Sequence, residues 1–196
     1  LHDHAQGRCR PNRSGQGTSP RFGRNHSRLP SQLDQAIVWV PFEQLPATAR
    51  IWVFTSPIPL DSSLIHPALQ EFVQTWTAHR QDLRASATLN EGYFILLAVD
   101  ESQTAASGCS IDKATNFVQA LGQSLNLNLL EKRRYFYRNG EDTIQAVDHQ
   151  TMQASVQDGR VNQTTMVADT LVNCVGDLAL FWKPLGESWH RRLFSF

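Results

Sequence analysis

The clearest pattern along the chain is at residues 50–56, where Ile51 and Val53 alternate with Trp52 and Phe54. Period-two alternation is extended chain, and a strand apolar on both faces reads as a central strand covered on both sides. Next, Ile65, Leu69, Phe72, Val73 and Trp76 recur at helical spacing, with Ser63 or His66 as caps and Pro67 tolerable in the first turn. Residues 83–89 alternate weakly, Ala85, Ala87 and Leu89 opposing Arg84, Ser86 and Thr88, before Asn90-Glu91-Gly92 turns the chain into the apolar residues 93–99. Ile111, Ala114, Phe117, Val118, Leu121 and Leu125 then mark a second helical face, and the arginines flanking residues 133–138 suit a short edge strand. This β-α-β-β-α-β order predicts an α+β protein with a ferredoxin-like sheet whose first and third strands are central.

Asn139-Gly140 signals a hairpin into residues 143–147, Asp148 can cap a short helix ending near Gly159, and residues 165–167 read as a further strand. Beyond Thr170 the apolar residues are dense but irregular and are expected to cover an edge or face of the sheet. The fold expected is therefore the ferredoxin-like sheet with a C-terminal hairpin and helix extension. Trp39, Trp52, Trp76 and Trp182 lie in apolar patterns and read as core.

Composition narrows the function classes. With 196 residues, 41% of them hydrophobic, the chain can bury a core, which excludes wholesale disorder and collagen-like repeats. The longest apolar run, residues 93–99, is far short of the roughly 18 residues that suggest a membrane helix. The formal net charge of zero is a cancellation. Arg8, Arg10, Arg13, Arg21, Arg24 and Arg28 stand against Asp3 within residues 1–29, and the remainder is acidic by the same margin. Residues 1–36 are expected to be a disordered basic arm, read as an overextended reading frame, and residues 37–196 a single α+β domain. The arm has no aromatic interleaving beyond Phe22, so a nucleic-acid partner is not expected.

At residues 40–46 (Val-Pro-Phe-Glu-Gln-Leu-Pro), 49–53 (Ala-Arg-Ile-Trp-Val), 76–79 (Trp-Thr-Ala-His), 98–101, 106–112 and 184–190, the chain resembles a family of small Bacteroidetes proteins that often carry the label "ABC transporter ATPase". The likeness covers roughly residues 40–194. The label implies ATP hydrolysis, but the residues speak against it. A phosphate loop needs a Gly-Lys-Ser/Thr end so that loop amides and the lysine reach the phosphates, and the chain has no Gly-Lys pair. Residues 108–115 lack the second glycine, and the acids Asp100 and Glu101 that follow residues 96–99 lie upstream of that loop, in the wrong order for a Walker pair.

Cys9, Cys109 and Cys174 are odd in number and widely spaced, which suggests neither a disulfide framework nor a zinc site and favours a cytoplasmic location. Cys109 is the candidate nucleophile. With Ser110 as N-cap it would directly precede a helix whose N-terminal partial charge favours thiolate. His79 at the end of the first helix and Asp100 after the third strand could complete a catalytic set. The bland alternative is a small buried cysteine, with Asp112 complementing the helix dipole in the first turn. Glu101, Asp100 and Asp112 could hold a hard cation but more simply end a strand and cap a helix, and no metal or cofactor is expected. Trp189, His190 and Arg191, within Ser188-Trp189-His190-Arg191-Arg192, could contact a phosphate or acidic partner, or Trp189 could dock the tail while the arginines stay solvated. Two functions follow. The first is a non-catalytic interaction or regulatory module using an exposed sheet edge or face, with a protein partner or a second copy of the chain. The alternative is a small thiol-dependent enzyme using Cys109, whose site would collect His79, Asp100 and the C-terminal His190.

Overall fold

A computed structural model describes residues 40–78, 81–102 and 105–194. The basic arm expected at residues 1–36, Trp39 and His79 lie outside the described residues. In chain order the elements are β1 (Arg50–Thr55), α1 (Ser62–Thr75), β2 (Thr77–Ala78), β3 (Gln81–Asp82), β4 (Ala85–Asn90), β5 (Phe94–Val99), α2 (Gly108–Ser124), β6 (Tyr135–Arg138), β7 (Ile144–Val147), α3 (His149–Gln157), β8 (Met166–Ala168) and β9 (Trp182–Pro184). Short 3-10 turns fill much of residues 175–192. Among the described residues no helix is long and apolar enough to cross a membrane.

The mixed α+β class holds, with strands antiparallel throughout. One sheet has the order β1-β5-β4, a second the order β7-β6-β8-β9, and β2 and β3 form a separate two-stranded hairpin. The first three strands expected from the sequence thus adopt the split arrangement, with the Tyr93 strand between its neighbours. The fourth does not join them. In place of an edge strand beside β1, β6 is an interior strand of the second sheet. Its neighbours explain this. The Asn139-Gly140 turn hands it β7 on one side, with Tyr135 opposite Val147, and Tyr137 pairs with Val167 of β8 on the other. The outer edge of β1 is meanwhile occupied by residues 173–175: the Ile51 N–H donates to Asn173 O (3.0 Å) and the Val175 N–H to Ala49 O (2.9 Å). β1 is therefore an outer strand, and β5 alone is central in its sheet.

Both strands are nevertheless apolar on two faces because their sheet is sandwiched. Trp52, Phe54, Ile95, Leu97 and Val99 face α1 and α2, whose Ile65, Leu69, Val73, Ala114 and Val118 complete one core. Ile51, Phe94, Leu96 and Ala98 face the second sheet, where Phe136, Ala168 and Phe181 close a second core. Phe94 sits edge-on to Phe136 and Phe181 at centroid distances of 4.8 and 4.9 Å, a favoured aromatic geometry. The opposite face of the second sheet presents Tyr135, Tyr137 and Val167 to Met152 and Val156 of α3 and to Leu185 and Phe194, forming a third core. Four layers result, running from α1 and α2 through the two sheets to α3 with the C-terminal segment. Of the irregular apolar residues after Thr170, Val172, Val175, Leu178, Phe181 and Trp182 serve the second core and Leu185 and Phe194 the third, whereas Leu171 and Leu180 are exposed.

Helix ends follow local side-chain chemistry. Asp61, rather than Ser63 or His66, caps α1 by accepting from the Ser63 N–H at 2.8 Å. Asp148 caps α3 through the Thr151 N–H at 2.8 Å, and Gly159 follows at φ +78°, a conformation glycine adopts without a Cβ penalty.

Candidate functional site

Residues singled out by the sequence fall at two places. The first is the junction of β5 and α2. Asp100 is 5% exposed; its Oδ2 accepts from Arg84 Nη1 at 3.2 Å and its Oδ1 from the Ser102 N–H at 3.0 Å. Glu101 Oε1 lies 3.6 Å from Arg50 Nη1 and accepts from the Ala106 N–H at 3.0 Å. Both carboxylates are thus occupied in holding the loop between β5 and α2. No group of three His, Cys, Asp or Glu side chains fit for a metal occurs among the described residues.

The helix cap differs from expectation. Ser107 is the N-cap of α2, its Oγ accepting from the Ser110 N–H at 3.2 Å, while the Ser110 hydroxyl donates back to Ser107 O at 2.8 Å. Two serines three residues apart both suit an N-cap, but a capping side chain reaches the third residue of its helix, which makes Ser107 the cap and Ser110 that third residue. Ser110 is fully buried, and its carbonyl accepts from the indole of the equally buried Trp76 at 2.8 Å. Its role is to fasten the end of α1 to the start of α2. Asp112 consequently lies beyond the first turn of α2 and is exposed. Cys109 lies inside the first turn and is exposed, which overturns the buried-cysteine alternative. No hydrogen-bond partner meets its sulfur among the described residues.

The second place is the C-terminal segment over the second sheet. His190 is 1% exposed, stacked on Trp189 at 3.8 Å and edge-on to Tyr135 at 5.7 Å. Its Nδ1 is 2.7 Å from the Ser188 hydroxyl, also buried. Burial pushes the imidazole down to about 4; the charge of Lys183 acts in the same direction and that of Asp169 opposes it. Asp169 organises the surroundings, accepting from Lys183 Nζ at 2.8 Å and from Trp189 Nε1 at 3.0 Å. Tyr135 OH lies 3.3 Å from His149 Nδ1, and burial raises the phenol above its ordinary value, with Arg133 partly offsetting the shift. Trp189 thus docks the tail, and Arg191 stays exposed, its Nη1 reaching Gly186 O at 3.5 Å.

The two places are not brought together. Cys109 belongs to the helical layer and His190 to the opposite outer layer, with both sheets between. Ser188 and His190 are close enough for proton transfer but sealed from solvent, so the pair fixes the tail and has no access to a substrate. Asp169, Lys183, Tyr135 and His149 escaped the sequence reading. Their partners are far away along the chain and no spacing announces them. Compared with known proteins, the chain matches no family model, no curated protein sequence and no solved structure.

Proposed function

We propose that the chain is a small non-catalytic interaction or regulatory module acting in the cytoplasm. The observation that carries this reading is the separation of the exposed thiol of Cys109 from buried His190 by two sheets, together with the structural engagement of Asp100. The free edge of the second sheet supports it as well. Thr143 O accepts from the Asn139 N–H (3.0 Å), so alternate residues of β7 face β6, and the backbone groups of Ile144 and Ala146 point outward without a backbone partner among the described residues. Such groups can pair with an added strand from a protein partner or a second copy. Membership of the Bacteroidetes family remains part of the proposal, on the stretches quoted above. ATP hydrolysis does not, because the sequence has no Gly-Lys pair.

Exposure of Cys109 favours one second reading, a thiol-dependent enzyme with His79 and Asp100 as its acid–base partners. Site-resolved alkylation by iodoacetamide separates the two. The module reading expects the same Cys109 rate in the native chain and in His79→Asn, Asp100→Asn and His190→Asn variants. A rate that collapses in any folded variant of the three establishes an activated thiol and defeats the module reading.

A further inference from the structure

The C-terminal segment makes two successive 3-10 turns, Leu185–Glu187 and Trp189–Arg192. The first is stitched to the loop before β8: the Leu185 N–H donates to Thr165 O at 2.8 Å and the Gly186 N–H to Gln163 O at 2.9 Å. A Cβ on Gly186 would lie 3.3 Å from Gln163 O, tighter than ordinary contact, so the missing side chain is what lets the two segments pass. The second turn places Arg191 and Arg192 beside this stitch. Gln163, Gly186, Arg191 and Arg192 together bound an open surface depression of about 460 Å³.

The chemistry of the lining is one-sided. Among the described residues it contains two guanidinium groups, an amide and a glycine backbone, and no carboxylate. Arg50, Arg84, Arg138 and Arg160 each meet an acidic side chain. Among the described residues Arg191 has only the distant contact to Gly186 O, and no acidic partner meets Arg191 or Arg192. Two cations lining one depression can share an oxyanion, which would supply the counter-charge absent among the described residues. A planar guanidinium binds phosphoryl oxygens in bidentate fashion, and two of them match a dianion better than a carboxylate.

We propose that this depression binds the phosphoryl group of a small molecule, either inorganic phosphate or a phosphate monoester. The proposal goes beyond the module reading and does not depend on it, since neither Cys109 nor β7 contributes. Calorimetric titration of the full chain at low ionic strength, with inorganic phosphate in one arm and ribose 5-phosphate in the other, tests it. Saturable binding in either arm is expected, weakened about 10-fold or more in an Arg191→Gln/Arg192→Gln double variant. Tighter binding of the sugar phosphate identifies a monoester ligand, and equal binding identifies the free anion. Both side chains are exposed, so the double variant should unfold at the native temperature, which keeps the comparison interpretable. No saturable binding in either arm, equal affinity for acetate, or undiminished binding by the folded double variant would each overturn the proposal; the last outcome would assign the anion to the other basic residues.

Discussion

The two outer layers are built on different principles. On the helical side, aliphatic residues at regular spacing dominate: Ile65, Leu69 and Val73 of α1 and Ala114 and Val118 of α2 press on Ile95, Leu97 and Val99. On the C-terminal side, the cover is a series of 3-10 turns held by particular side-chain pairs, including Asp169 with Lys183 and Trp189, Ser188 with His190, and Tyr135 with His149. A regular amphipathic layer draws its stability from area removed from water and does not respond to proton concentration. A layer that buries an imidazole does respond, because the charged form is excluded from it.

Substitutions can break this contrast. Leu97→Ala, at a fully buried site against α1 and α2, should cost about 2–5 kcal/mol in urea unfolding, equally above pH 6.5 and near pH 4. A strong pH dependence of that cost would erase the distinction. The next largest effect belongs to His190. Below pH 6.5 the unfolded chain takes up a proton that the folded chain refuses until about pH 4. The associated stability is therefore complete above pH 6.5 and falls as pH drops toward 4, by about 3 kcal/mol in all. A His190→Asn variant should lose this component of acid sensitivity, so the gap between native and variant stability should shrink on acidification. A constant gap across that range would show that the imidazole is not held neutral.

Smaller effects sharpen the helical side. Trp76→Phe keeps an aromatic ring but removes the indole N–H that bonds Ser110 O and leaves a void at a fully buried site, with an expected loss of about 1–3 kcal/mol by thermal unfolding. Ser107→Ala removes the cap of α2 and should cost about 1 kcal/mol, while Ser110→Ala, tested alongside, distinguishes the two serines. An unchanged midpoint for Ser107→Ala would return the cap to Ser110.

The same contrast governs what could be read in advance. Elements with a period were legible. The alternation at residues 50–56, the heptad-like spacing of Ile65 to Val73, the Asn139-Gly140 turn and the Asp148 cap all appear where the residues imply. Strands β6, β7 and β8 are legible, but their grouping with β9 into a separate sheet is not, because β6 has only four residues and β8 and β9 three each, too few to announce a central or an edge position. Arginines flanking such a short strand suggest an edge, yet Arg138 is spoken for by Glu91 and Asp142 and lies over the Trp182 ring at 4.4 Å. Its charge is used at the partly exposed margin of the sandwich. Of the candidate site, the place of Cys109 at the start of a helix is legible, but its surroundings are not. Ser110, Asp100 and Glu101 proved to be fastenings whose partners, Trp76, Arg84 and Arg50, lie between 16 and 51 residues away in sequence. Pairings over such separations are set by the fold and leave no local pattern.

The claim underlying both the functional reading and the contrast is that Cys109 and the His190 segment lie on opposite sides of a four-layer sandwich. A distance measured by pulsed electron spin resonance tests it directly, with one nitroxide on Cys109 and the other on Arg192→Cys, Cys9 and Cys174 having been replaced by Ser and Ala. Three layer spacings of roughly 10 Å each predict a separation on the order of 30 Å. A separation of less than about half that value would place thiol and histidine on one side, and would contradict the account.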